Sequence, residues 1–128
     1  MLQNPRILIA DDDSEIRSGA AELIGPLGLE VVQASTGLEA LDVLRGGRVH
    51  LALLDVHMPG HTGLELLEFV REETLAVPCI FWSGEADEVT AKWLLGHGAD
   101  AFLRKPVRPN DLRLQVQATF QRHWGPAA

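Results

Sequence analysis

Apolar positions along this chain fall into two kinds of run that take turns. Arg6-Ile7-Leu8-Ile9-Ala10 is short and nearly continuous, as in a strand, whereas Ile16, Ala20, Leu23, Ile24 and Leu27 recur at helical spacing. Asp13 or Ser14 can cap that helix, and Gly25-Pro26 and Gly28 end it. Residues 29–33 predict a second strand. Leu38, Leu41 and Leu44 predict a second helix, opened by Thr36 and Glu39 at capping-box spacing and closed by Gly46-Gly47. Residues 49–54 predict a third strand, Leu64, Leu67 and Val70 a third helix, and residues 78–82 a fourth strand. Val89, Trp93 and Leu94 mark a fourth helix that stops at Gly96-His97-Gly98. A fifth strand follows at residues 101–104. Leu112, Val116 and Phe120 mark a fifth helix with Asn110 as its cap.

Strict alternation of strand and helix predicts an α/β fold with parallel strands and right-handed crossovers. The third strand is apolar almost throughout, which suits a strand covered on both faces. No repeat, low-complexity stretch or boundary interrupts the pattern, and 128 residues make one domain. That domain is expected over residues 1–124, with 125–128 as a C-terminal fray.

Composition narrows the function. At 46% hydrophobic residues the chain can bury a core. A formal charge of −7 argues against binding nucleic acid or an anionic membrane. The single cysteine, Cys79, excludes an intrachain disulfide, and its apolar setting PCIFW reads as a buried thiol. The start, MLQNPR, lacks the apolar core of a signal peptide, and no run reaches membrane-span length. Together these point to a soluble protein of the reducing cytoplasm.

In an open parallel sheet, sites gather beyond the carboxyl ends of the strands. Asp11, Asp12 and Asp13 follow the first strand, Asp55 the third, Ser83 with Gly84-Glu85 the fourth, and Lys105-Pro106 the fifth. Carboxylates crowded on one edge repel one another unless a positive charge joins them. A hard divalent cation such as Mg²⁺ does this with oxygen ligands, and a lysine adds a second, mobile charge. Such a set can hold a phosphoryl group, with a carboxylate as the in-line nucleophile.

In sequence order, DDDS at 11–14, LLDVHMPGHTG at 53–63, SGE at 83–85 and KP at 105–106 resemble the receiver domain of bacterial two-component response regulators. The resemblance covers essentially the whole chain. It implies a flavodoxin-like (βα)5 doubly wound sheet of strand order 2-1-3-4-5. It also implies that Asp55 accepts a phosphoryl group from a sensor histidine kinase or phosphotransfer protein. Mg²⁺ is then held by Asp12, Asp11, Asp55 and the backbone carbonyl of His57. Ser83 and Lys105 contact the phosphoryl group, Lys105-Pro106 is a cis peptide, and Ser83 and Phe102 form the switch. The output surface is the fourth helix, fifth strand and fifth helix. Such a domain is a signalling module rather than an enzyme, is a monomer or weak dimer, and does not itself bind nucleic acid. With only a short tail after residue 124, the chain is expected to act through a protein partner, relay phosphate onward, or be part of something longer.

Three choices depart from the commoner pattern: Ser rather than Thr at 83, Phe at 102, and His at 57, a place that tunes phosphate lifetime in similar proteins. Trp82 is large for a residue beside Ser83 and is expected to crowd the strand end. Two other readings compete. A receiver-like binding module that is never phosphorylated predicts a missing acid or lysine, and none is missing. A flavodoxin-like cofactor enzyme needs a glycine- and hydroxyl-rich phosphate loop after the first strand, where this chain has three acids. A zinc site at His57 and His61 fails because Pro59-Gly60 lies between them and forbids a shared helix face.

Overall fold

The computed structural model describes residues 4–73, 75–85 and 88–125, so the chain start at 1–3 and all of the expected 125–128 fray except Gly125 lie outside the described residues. The elements follow in the predicted order: β1 Arg6–Ala10, α1 Ser14–Ile24 with a 3-10 turn Gly25–Leu27, β2 Glu30–Ala34, α2 Gly37–Arg45, β3 Leu51–Asp55, α3 Gly63–Glu72, β4 Cys79–Ser83, α4 Glu88–Gly96, β5 Ala101–Arg104 and α5 Pro109–Trp124. All strand pairs are parallel and the sheet order is β2-β1-β3-β4-β5, the flavodoxin-like arrangement. From β1 the chain goes first to one side of the sheet and then to the other. The order therefore switches between β1 and β3, and it is there that a crevice opens beyond the strand ends.

Side-chain alternation along each strand divides the core into two layers. Ile7, Ile9, Leu51, Leu53, Ile80 and Trp82 pack with Ala20, Ile24, Leu112, Val116 and Phe120, the inner faces of α1 and α5. Leu8, Ala10, Ala52, Leu54 and Phe81 pack with Leu41, Leu44, Leu66, Val70 and Leu94 of α2, α3 and α4. Every residue of β3 and β4 is buried, as expected of central strands covered on both faces. Among the described residues no helix is long and apolar enough to cross a membrane.

The strand limits differ from the hydropathy pattern in an informative way. β3 includes Asp55 and β4 includes Ser83, because the backbone ladder continues past the last apolar side chain: Asp55 pairs with Trp82 and Ser83 with Arg104. The polar groups thus stand on the last paired residue of a central strand rather than on a free loop. β2 runs one residue later than the apolar pattern at both ends.

Helix starts also need correction. Asn110 does not cap α5. Pro109 takes the first helical position, Arg108 is the cap residue without a side-chain bond, and Asn110 Oδ1 accepts from Arg113 inside the helix. Asp13 does cap α1, accepting the N–H groups of Glu15 and Ile16. Thr36 makes only half a capping box, since the Glu39 carboxylate is taken by the Ser35 hydroxyl. The complete box is Thr62 with Glu65 at the start of α3. Accepting the Thr62 N–H holds the Glu65 carboxyl below its ordinary value. At the far end of α5, the Trp124 indole donates to the His50 carbonyl at 2.7 Å and His123 Nε2 lies 2.6 Å from Asp100.

Candidate functional site

The β1–α1 turn begins the site. Asp11 N–H still bonds Ala34 O, so the backbone stays extended for one residue beyond β1. Asp11 Oδ1 accepts the Asp13 N–H at 2.9 Å, and Arg17 Nη1 donates to the Asp11 carbonyl at 2.6 Å. These bonds fix a fully buried carboxylate beside an exposed one, Asp12. Across the switch point, β3 delivers Asp55, itself buried, with Oδ1 accepting the His57 N–H at 3.1 Å. Asp11, Asp12 and Asp55 each offer an oxygen within 4.8 Å of the others.

Lys105 directly follows β5 and precedes the cis Lys105–Pro106 bond, and its own N–H extends the ladder to Ser83 O at 2.8 Å. Its Nζ reaches Asp11 Oδ2 at 2.6 Å and Asp55 Oδ2 at 3.3 Å. The contact with the fully buried Asp11 is the shorter of the two. One ammonium among three carboxylates leaves excess negative charge. Burial pushes the Asp55 carboxyl above its ordinary value; the neighbouring Asp11 charge adds to this, while the His57 amide and Lys105 oppose it. Oxygen-only donors gathered within 4.8 Å and an excess of negative charge together fit a hard divalent cation such as Mg²⁺.

Ser83 is buried at the end of β4, on the strand next to Asp55, and its hydroxyl accepts the Glu85 N–H at 3.1 Å. His57 and Glu85 meet near the same edge, with Nε2 and Oε2 3.7 Å apart. Phe102 lies further back: it pairs in register with Phe81, packs half-buried against the α2/α3/α4 layer, and has the Arg104 guanidinium 5.8 Å from its ring centre. Trp82 stands at the same strand ends, its Nε1–H pointing to Ala10 O at 3.5 Å. Alternation turns it to the α1/α5 layer, where it is buried beneath Lys105, whose Nζ is 5.1 Å from the ring centre. A groove of about 610 Å³ between α1 and the β5–α5 turn opens beside these groups. Sequence reasoning missed Arg17 and the Trp82–Lys105 contact, because a guanidinium on a backbone carbonyl and an ammonium over a ring leave no trace in hydropathy.

Residues 7–117 match the model of the response regulator receiver domain. The chain belongs to that family. This receiver domain is 36% identical over 120 residues to the transcriptional regulatory protein CpxR of Escherichia coli K12, covering 93% of this chain and 51% of CpxR. It is 30% identical over 118 residues to the DNA-binding response regulator MtrA of Mycobacterium tuberculosis H37Rv, covering 92% of this chain and 51% of MtrA. The chain therefore spans about half the length of these curated relatives. Among solved structures it resembles a CheY-like response regulator receiver domain from Methanospirillum hungatei JF-1, at 32% identity and TM-score 0.88 over 94% of this chain and 97% of that one. The signal receiver domain of a putative LuxO repressor from Vibrio parahaemolyticus shares the fold at TM-score 0.91 and 21% identity, over 94% of this chain and 93% of that one. The family is that of two-component signalling, and the acidic cluster is in keeping with its Mg²⁺ dependence.

Proposed function

We propose that this receiver domain is a phosphorylation-operated switch whose acceptor is Asp55. The observation that carries the reading is the placement of Lys105 within 3.3 Å of a buried Asp55 that shares its edge with two further carboxylates. Asp12, Asp11, Asp55 and the His57 carbonyl would hold Mg²⁺, which supplies positive charge to the oxygens of an incoming phosphoryl group. An Asp55 oxygen attacks phosphorus in line. The O–P bond forms as the P–N bond to the histidine of a sensor kinase or phosphotransfer protein breaks, and the imidazole leaves with the electron pair. Lys105 pairs with the phosphoryl oxygens, and the Ser83 hydroxyl turns from its present bond to donate to one of them. Water later attacks phosphorus, restoring the carboxylate and releasing inorganic phosphate.

Burial raises the affinity of Asp55 for protons, so the cation and Lys105 are needed to keep it ionised and nucleophilic. The output is a shift between two conformations, read at the surface of α4, β5 and α5 through Ser83 and Phe102. Protein partners would engage that surface, in the cytoplasm. The functional unit extends through residue 124, since Trp124 is bonded into the fold through His50.

Incubation with acetyl phosphate and Mg²⁺, followed by intact-mass measurement, tests this. One phosphoryl group is expected on the wild type, none without Mg²⁺, and none on Asp55→Asn. An unlabelled wild type, or equal labelling of the Asn variant, would overturn the reading.

A further inference from the structure

Lys105 must keep its ammonium near Asp55, yet a lysine is a point charge on a flexible stem and Asp11 lies closer to it. Something has to oppose complete transfer to Asp11. The indole of Trp82 is placed to do so. Its ring lies 5.1 Å from Nζ, within the range at which an electron-rich aromatic face attracts an ammonium, and both groups are mostly shielded from water. The ring is held in turn: its Nε1–H points to Ala10 O at 3.5 Å, the last residue of β1 and the one before Asp11. Strand register places Trp82 directly beside Asp55. One residue therefore has its ring against the backbone just before Asp11 and beneath Lys105, and its backbone in register with Asp55.

We propose that Trp82 is a positioning residue, whose ring holds the Lys105 ammonium within reach of Asp55 and of a phosphoryl group placed there. The inference rests on the phosphorylation reading above. A smaller aliphatic residue at position 82 would keep the α1/α5 layer apolar, though less fully packed, and would leave only carboxylates to draw the ammonium, of which Asp11 is the nearer. Trp82 is separate from the chemistry itself: it touches no reacting atom and acts through Lys105.

The test crosses Trp82→Phe and Trp82→Leu with Lys105→Met and measures initial labelling rates by acetyl phosphate, at saturating Mg²⁺ and donor, on protein shown folded by circular dichroism. Trp82→Leu is expected to slow labelling about fivefold, the size of a partly desolvated cation–π contact, whereas Trp82→Phe, which keeps an aromatic face, stays within about twofold of wild type. In the Lys105→Met background, Trp82→Leu is expected to change nothing further, because the interaction it removes is already gone. Trp82→Met serves in place of Leu if that variant does not fold. Equal losses in Phe and Leu, no loss in Leu, or the same loss with and without Lys105 would each overturn the inference and leave the phosphorylation reading standing. A wild type that takes no label brings down the reading, and the inference with it.

Discussion

Lys105 Nζ lies nearer to Asp11 than to Asp55, at 2.6 Å against 3.3 Å. The Lys105 ammonium is thus shared between two buried carboxylates on opposite sides of the switch point in strand order, and tied more closely to the one that is not the proposed acceptor.

Removing that cation leaves buried charge behind. Lys105→Met strips the partner from a fully buried Asp11 and a nearly buried Asp55. In metal-free buffer the loss of stability is expected to be on the order of 3 kcal/mol, as for other buried pairs broken from one side. Urea unfolding with and without Mg²⁺ checks this: added Mg²⁺ should recover part of the loss, and a variant as stable as wild type without metal would contradict the account.

Asp55 sets a pH dependence of defined sign. Burial raises its folded-state value, so the folded chain binds this proton more tightly than the unfolded chain does. Its contribution to stability is complete below the unfolded value and declines as pH rises through the window up to the raised folded value. Asp55→Asn removes that decline. At neutral pH without metal the Asn variant should unfold at higher urea than wild type, and Mg²⁺ should stabilise the wild type more than the variant. Urea midpoints from acid to neutral pH measure both.

Gly37 carries a steric constraint on the loop behind Asp55. Its N–H bonds Pro59 O at 2.9 Å, and an added Cβ would overlap the His61 backbone. Neither partner is a flexible side chain that can yield. Gly37→Ala should cost at least about 2 kcal/mol by overpacking, whereas Gly19→Ala, with open space around it, should not. Thermal or urea midpoints of the two variants decide the matter.

Cys79 is expected to be inert. Burial at the start of β4, with Asp100 nearby, pushes its thiol up to about 12. A disulfide reagent that titrates exposed thiols at pH 8 should find none in the folded chain and one after unfolding. Fast reaction of the native protein would show that the β4 edge opens.

The difference between what the chain pattern tells and what the fold decides follows from the range of the interactions. Strand and helix periods, the Asp13 cap and the glycine stops are local, and they were legible because neighbours a few residues apart set them. The residues expected at the site stand at strand ends that parallel pairing brings to one edge, so their order alone located the edge. The Asn110 cap failed because Pro109 beside it starts the helix first. The full capping box at Thr62 follows the Pro59-Gly60 break, where no apolar period marks the helix start, so only the fold shows it. Tertiary structure alone decided that Asp11 is buried while Asp12 is exposed, that Lys105 leans to Asp11, and that Trp82 turns to the α1/α5 layer with its ring beneath Lys105. Those outcomes depend on which face of a strand a side chain meets and on ångström differences between residues up to about ninety positions apart, which no local period encodes.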